Sequence, residues 1–228
     1  MASEHFGPGL FKFLNDLAKN NNRDWFKANQ DRYEGQVRAP ALSFIEDFES
    51  HLHKISPYFV ASAKKVGGSL FRIHRDVRFG KDKSPYKTSV GIQFRHEDGK
   101  GAHVPGFYLH LQPKEVFAAA GTWRPDTPTV TGIREAIVDD PAAWKKAVGG
   151  KRFRDTYELS GESLKRPPRG FDGDHAQIED LKRKDFMGVC RMSQAAVCVG
   201  GFERELGKIF RAGSPLVKFL CDAGDAEF

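Results

Sequence analysis

At Gly67-Gly68 the spacing of apolar residues changes from a helical to an extended period, and this change restricts the fold more than any other feature of the chain. Upstream, Leu10, Phe13, Leu14 and Leu17 recur at i, i+3, i+4 and i+7, and Leu42, Ile45, Phe48, Leu52 and Ile55 draw a second such stripe. Each stripe lines one face of a helix. Between them Asn20-Asn21-Asn22 interrupts the pattern, and Trp25, Phe26, Tyr33 and Val37 carry it along another helix. Pro40 suits the first turn of the third. Downstream of the glycines the period is 2. Phe71, Ile73, Arg75, Val77 and Phe79 alternate with Arg72, His74, Asp76 and Arg78, the pattern of a half-buried strand.

The alternation repeats twice. Val90, Ile92 and Phe94 oppose Ser89, Gln93 and Arg95, and Phe107, Leu109 and Leu111 oppose Tyr108, His110 and Gln112. His96-Glu97-Asp98-Gly99-Lys100-Gly101 is a polar connection. Glu115–Gly121 reads as a small-residue strand suited to close packing. Strands are therefore expected near 70–79, 88–96, 106–112 and 115–121. The connections are too short for parallel crossovers, so the sheet is expected to be mostly antiparallel.

After Pro125 the helical period returns through Val130, Ile133, Ile137 and Val138, then Trp144 and Val148. Residues 160–175 form a basic, Pro/Gly-rich loop. Phe202–Leu220 reads as one helix, or two broken near Gly213–Pro215. Helices, consecutive strands and helices again predict an α+β fold, its sheet covered by the N- and C-terminal helices, with residues 1–228 as a single domain.

Composition narrows the function classes. No apolar window of 18 residues exists, so no membrane span is expected. The first residues have no basic segment followed by an apolar one, so no signal peptide is expected. Cys190, Cys198 and Cys221 are odd in number and lack C-x-x-C spacing. They read as reduced, packed thiols of a cytoplasmic protein. The glycines at 80, 99 and 101 match neither a P-loop nor a dinucleotide fingerprint, so no cofactor is assigned.

Charge is concentrated. The 36 basic and 30 acidic side chains leave a formal net charge of +6. Residues 72–87 hold Arg72, Arg75, Arg78, Lys81, Lys83 and Lys87 against Asp76 and Asp82 alone. With the strands aligned, one polar face gathers Arg72, His74, Asp76, Arg78, Gln93, Arg95, Tyr108, His110 and Gln112. Guanidinium groups fit phosphate or carboxylate bidentately. Arg72, Arg75, Arg78 and Lys83 are thus candidate anion ligands, with Tyr86 and Lys87 closing over the site and Tyr108 beside it. His74, Asp76 and His110 are candidate acid/base residues.

Arg75 stands apart on the apolar face and needs a partner there. The competing structural reading pairs Arg72 and Arg75 with Asp76, Asp82 or Asp126. Two histidines and a carboxylate also suit a metal, but the neighbouring arginines repel a divalent ion, and no metal site is assigned. No nucleophile motif accompanies the histidines, so no reaction is read from the sequence. The clusters Lys151–Arg154, Lys165–Arg169 and Lys182–Lys184 leave nucleic acid as the alternative partner.

Arg72-x-x-Arg75-Asp76-x-Arg78-Phe79 followed by Asp82-Lys83-x-Pro85-Tyr86-Lys87 resembles the signature of the family known as domain of unknown function 2461. Asn22-Arg23-x-Trp25-Phe26, Gly106-Phe107-Tyr108 and the Pro168–Phe186 stretch resemble it too. The resemblance implies a bacterial protein of about this length and carries no activity or catalytic residue with it. The expected function is binding of a phosphate- or carboxylate-bearing small molecule on the basic sheet face. The alternative is a non-enzymatic interaction or nucleic-acid-binding module.

Overall fold

A computed structural model describes residues 5–78, 80–99 and 104–228. Phe79, Lys100 and Gly101, which the sequence pattern assigned to a strand and a connection, lie outside the described residues.

The chain begins with α1 (Pro8–Lys19), α2 (Arg23–Ala28) and α3 (Gln30–Tyr33); a π turn at Glu34–Arg38 leads into α4 (Ala39–His53). The second expected helix is thus broken at Asn29, and its remainder runs on into the third. Pro40 sits in the turn just after the π segment, where its missing N–H leaves no orphaned ladder position. Asn22 starts α2 by accepting the Trp25 N–H at 2.9 Å on its side-chain oxygen.

The strands are β1 (Phe59–Val60), β2 (Val90–His96), β3 (Gly106–Gln112), β4 (Glu115–Thr122), β5 (Glu158–Ser160) and β6 (Phe186–Met192). They form one antiparallel sheet in the order β1-β2-β3-β4-β6-β5. Helices α5 (Thr127–Asp139), α6 (Pro141–Gly149) and α7 (Lys151–Thr156) follow β4. The short α8 (Ile178–Leu181) and α9 (Gln194–Val197) flank β6, and α10 (Phe202–Asp222) closes the chain. The fold is α+β.

Three of the four expected strands are present. The fourth, 70–79, is not a regular strand. Its start lies along β2, with Phe71 N–H donating to Gly91 O (2.9 Å) and Gln93 N–H to Ser69 O (2.8 Å). It then turns away and pairs with its own continuation: Arg75 N–H donates to Pro85 O, and Lys87 N–H to Ile73 O. Asp76 and Asp82 each accept the N–H two residues ahead, from Arg78 and Ser84. Such local turns compete with a ladder. The alternation persists as burial even so: Ile73 is buried, Arg75 and Val77 are partly so, and Arg72, His74, Asp76 and Arg78 are exposed.

The core lies between one sheet face and the helices α1, α4 and α10. Phe210 of α10 stands 5.7 Å from Phe48 of α4, 5.9 Å from Phe94 of β2 and 4.9 Å from Phe107 of β3, ring centre to ring centre. Helix α10 runs unbroken through Pro215. The carbonyl that Pro215 cannot serve, Arg211 O, accepts the Ser214 hydroxyl at 2.9 Å. Of the two readings of Phe202–Leu220, the single helix is the one observed.

Candidate functional site

The face of the sheet turned away from these helices carries a pocket. Register places Gly91, His110, Phe117 and Arg191 in one cross-strand row, Gln93, Tyr108, Ala119 and Val189 in the next, and Arg95, Gly106, Gly121 and Met187 in a third. Gly106, Ala119 and Gly121 provide a floor without bulk. Phe71, Tyr108, Phe117, Trp123 and Met187 stand around it, enclosing about 350 Å³. Gly91 is required by close approach: a methyl group there would lie 2.6 Å from Tyr108 Oη and 3.0 Å from the Phe71 ring. With no side chain at 91, the Phe71 and Tyr108 rings meet at 5.9 Å.

The polar groups of the pocket are few and ordered. Tyr108 Oη lies 3.0 Å from His110 Nδ1, and His110 Nε2 lies 3.3 Å from Gln112 Oε1. Gln112 Oε1 can only accept, so Nε2 carries the proton and Nδ1 accepts from the Tyr108 hydroxyl. The His110 ring also stacks on Phe117 at 4.7 Å. Burial lowers the His110 pKa, against weaker opposing effects of Gln112 and Glu115. Burial, with Glu115 nearby, pushes Tyr108 up to about 12. At neutral pH the pair is therefore an uncharged acid beside an uncharged base. The Tyr108 oxygen keeps its lone pairs for a donor in the pocket.

The basic segment does not form the expected open anion site. Arg75 is paired with Asp82, and Arg78 with Asp76 at 2.7 Å, while Lys83 Nζ donates to Val77 O at 2.9 Å. These three cations fasten the loop to itself, as the competing reading of the sequence had it for Arg75. Tyr86 is buried, stacked on Phe26 at 4.1 Å, and its backbone is held on both sides by the Asn21 amide at 3.1 and 2.9 Å. It belongs to the core. His74 packs against Tyr86 and Phe26, and His110 against Phe117 and Tyr108. Among the described residues, no hydrogen bond, ion pair or ring contact joins His74, Asp76 and His110 to one another.

One further cation of the segment, Lys87, stands against a wall of the pocket. Lys87 Nζ sits 5.3 Å over the ring of Phe71, and Lys87 has its pKa lowered first by burial and then by the charge of Arg72. Among the described residues no carboxylate forms an ion pair with Lys87, while the charge of Arg72 also acts on Asp76, whose pKa it helps to lower. Sequence reasoning missed Phe71, Phe117, Ala119, Gly121, Trp123 and Met187 as lining residues. The signal was present in β4, where the phase opposite the core reads Phe117-x-Ala119-x-Gly121, an aromatic followed by two residues with almost no side chain.

A family model described as conserved hypothetical protein (DUF2461) matches residues 9–219. The chain belongs to the DUF2461 family. No curated protein and no solved structure matches it. The family match takes in the basic hairpin and every residue that lines the pocket.

In this DUF2461 chain the hairpin carboxylates are held ionised by their local bonds. The Arg78 side chain and N–H hold Asp76 down at about 2, and Ser84 with Arg75 holds Asp82 lower still than the usual carboxylate range. A carboxyl depressed in the folded state contributes stability above its unfolded value and loses it as pH falls through the folded one. The contribution is therefore complete at neutral pH, starts to fall once the pH drops to about 4, and for Asp76 is gone only below about 2. Carbon-detected titration of the side-chain carboxyls should give Asp76 a midpoint near 2. In Arg78→Ala the midpoint should return toward the ordinary aspartate value while Asp82 stays depressed. An unmoved Asp76 midpoint in the variant would show that the pair does not exist in solution.

Proposed function

We propose that this protein binds a flat, largely apolar small molecule bearing a carboxylate or phosphate group on the open face of its sheet. The observation that carries the reading is the pocket: aromatic walls around a floor of Gly106, Ala119 and Gly121. About 350 Å³ lies within the usual range of small-molecule sites, which are mostly apolar with a few directing polar groups. The Tyr108 oxygen favours a ligand with an N–H or O–H on its ring. The acidic group is assigned to Lys87 and Arg72, whose mutual repulsion a bound anion relieves. Tyr108 and His110 could then pass a proton to or from the bound molecule; His74 and Asp76 are left out of the role.

Titration of aryl carboxylates and nucleoside monophosphates, followed on the Met187 methyl signal, tests the reading. A matching ligand shifts that signal saturably. Ala119→Leu fills the floor and abolishes the shift while leaving the fold intact. Lys87→Gln weakens acids by about tenfold, the cost of one charge-assisted hydrogen bond, and leaves the corresponding neutral amides unchanged. If no acid up to millimolar concentration moves the signal, the proposal fails. If single-stranded oligonucleotides move it with a steep dependence on salt, the nucleic-acid alternative replaces it.

A further inference from the structure

A second cleft, of about 300 Å³, opens between the start of α5, the turn before Leu164 and the residues leading into β6. It differs from the first in being lined by charge. Arg124, Arg134 and Lys184 face Glu162 and Asp185 across it.

The charges sort themselves by their partners. Lys184 Nζ lies 3.0 Å from Glu162 Oε2, and these two cancel. Asp185, only 3% exposed, spends one oxygen on the Arg124 N–H at 2.7 Å and the other on the Glu162 N–H at 2.8 Å. It clamps the two lips of the cleft together, and its charge is dispersed into the backbone. Arg134 is different. Its Nε donates to Leu181 O at 2.6 Å and its Nη2 to Arg183 O at 3.0 Å. The guanidinium is therefore fixed in place by two carbonyls, which bring no net charge. Among the described residues no carboxylate pairs with it. Its pKa is lowered by burial alone, as expected of a cation without a counter-charge.

Arg124 completes the set. It is one of three non-glycine residues with positive φ among the described residues, at +48°. A left-handed backbone is costly for a side chain of this kind and tends to persist where function over-determines it. Its exposed guanidinium lies 4.8 Å from the Trp123 ring at the lip of the cleft, and its charge adds to that of Lys184 in holding the Glu162 carboxyl down.

We infer that this cleft is a binding site for a tetrahedral oxyanion, inorganic phosphate or the phosphate of a monoester, held by Arg134, Arg124 and Lys184. Arg134 presents a pre-positioned fork, so little ordering cost falls on it at binding. Arg124 closes from the lip, and Lys184 divides its charge between Glu162 and the anion. The site is separate from the aromatic pocket, since Trp123 turns to one and Arg124 to the other.

The test uses the whole chain at fixed ionic strength, with chloride exchanged for phosphate, sulfate or glycerol 2-phosphate, and reads the Nε–H signals of the arginines. Phosphate should shift the Arg134 signal saturably. Arg124→Asn should weaken binding at least tenfold while melting at the same or a higher temperature, because asparagine tolerates the left-handed backbone better than arginine. Lys184→Gln should weaken binding as well, and Ala119→Leu in the other pocket should leave it unchanged. Tighter binding of the monoester than of the free ion assigns the site to a phosphorylated metabolite, and equal binding assigns it to phosphate itself. An Arg134 signal that stays in place when phosphate replaces chloride, or phosphate affinity indifferent to both Arg124→Asn and Lys184→Gln, overturns the inference.

Discussion

Replacing Phe210 by alanine should destabilise the protein by about 3–5 kcal/mol, the range for removing a buried aromatic ring from a core that cannot collapse around the gap. Phe210 is fully buried. Its neighbours Phe48, Phe94 and Phe107 come from a helix and two strands whose positions other contacts fix. Phe94 and Phe107 face each other across β2 and β3, so neither can move into the vacated volume without leaving the ladder. Phe48 is held in turn by Phe44 at 5.4 Å. For a chain of this length the loss corresponds to a fall in melting temperature of roughly 6–20 °C. Chemical denaturation should show the midpoint moving with little change in slope. A loss below about 1 kcal/mol would mean that the aromatic cluster is loosely packed, and α10 would then not be the element that fastens helices to sheet.

How much of this was legible beforehand can be argued from particular residues. The strands at 90–96, 106–112 and 115–122 announced themselves because one face of each is buried among helices and the other is not. The α4 and α10 stripes were readable for the same reason. Strand β6 was missed. Phe186, Gly188, Cys190 and Met192 point to the core side, while Met187 and Val189 point to the open face, so both phases are largely apolar and the period-2 contrast vanishes. The basic segment misled in the opposite way. Its alternation is real as burial, but the Asp76 and Asp82 turns draw the backbone off β2, and cations counted as ligands are taken up within the hairpin. Sequence spacing records which side of a chain is wet; it does not record which carboxylate reaches an arginine first. The pocket was obscured for a related reason. Its character rests on side chains that are absent, at Gly91, Gly106 and Gly121, more than on those that are present.

Substituting Gly213 should separate two meanings of a helical glycine. In a solvent-facing turn, glycine to alanine stabilises a helix by up to about 1 kcal/mol. Gly207, also in α10, is buried, but the atoms nearest to a new methyl group there belong to the His51 side chain, at 3.5 Å and beyond, an ordinary contact. Gly207→Ala should therefore be neutral or stabilising. Gly213 lies under the sheet: a methyl group there would come within 2.5 Å of Ala120 Cβ and 3.0 Å of the Tyr157 ring. Neither can yield. Ala120 belongs to the centre of β4, paired with Phe107 on one side and Gly188 on the other, and the Tyr157 hydroxyl donates to Ile209 O at 3.0 Å. Even alanine should cost stability at this position, and Gly213→Leu should cost about 3 kcal/mol or more as α10 is levered off β4. Because Ala120 also borders the aromatic pocket, the displacement should reach the open face. The Met187 methyl signal, on the strand next to β4, should shift in Gly213→Ala and stay in place in Gly207→Ala. Equal melting temperatures for the two variants would show that the helix stands further from the sheet than the Gly213–Ala120 approach requires.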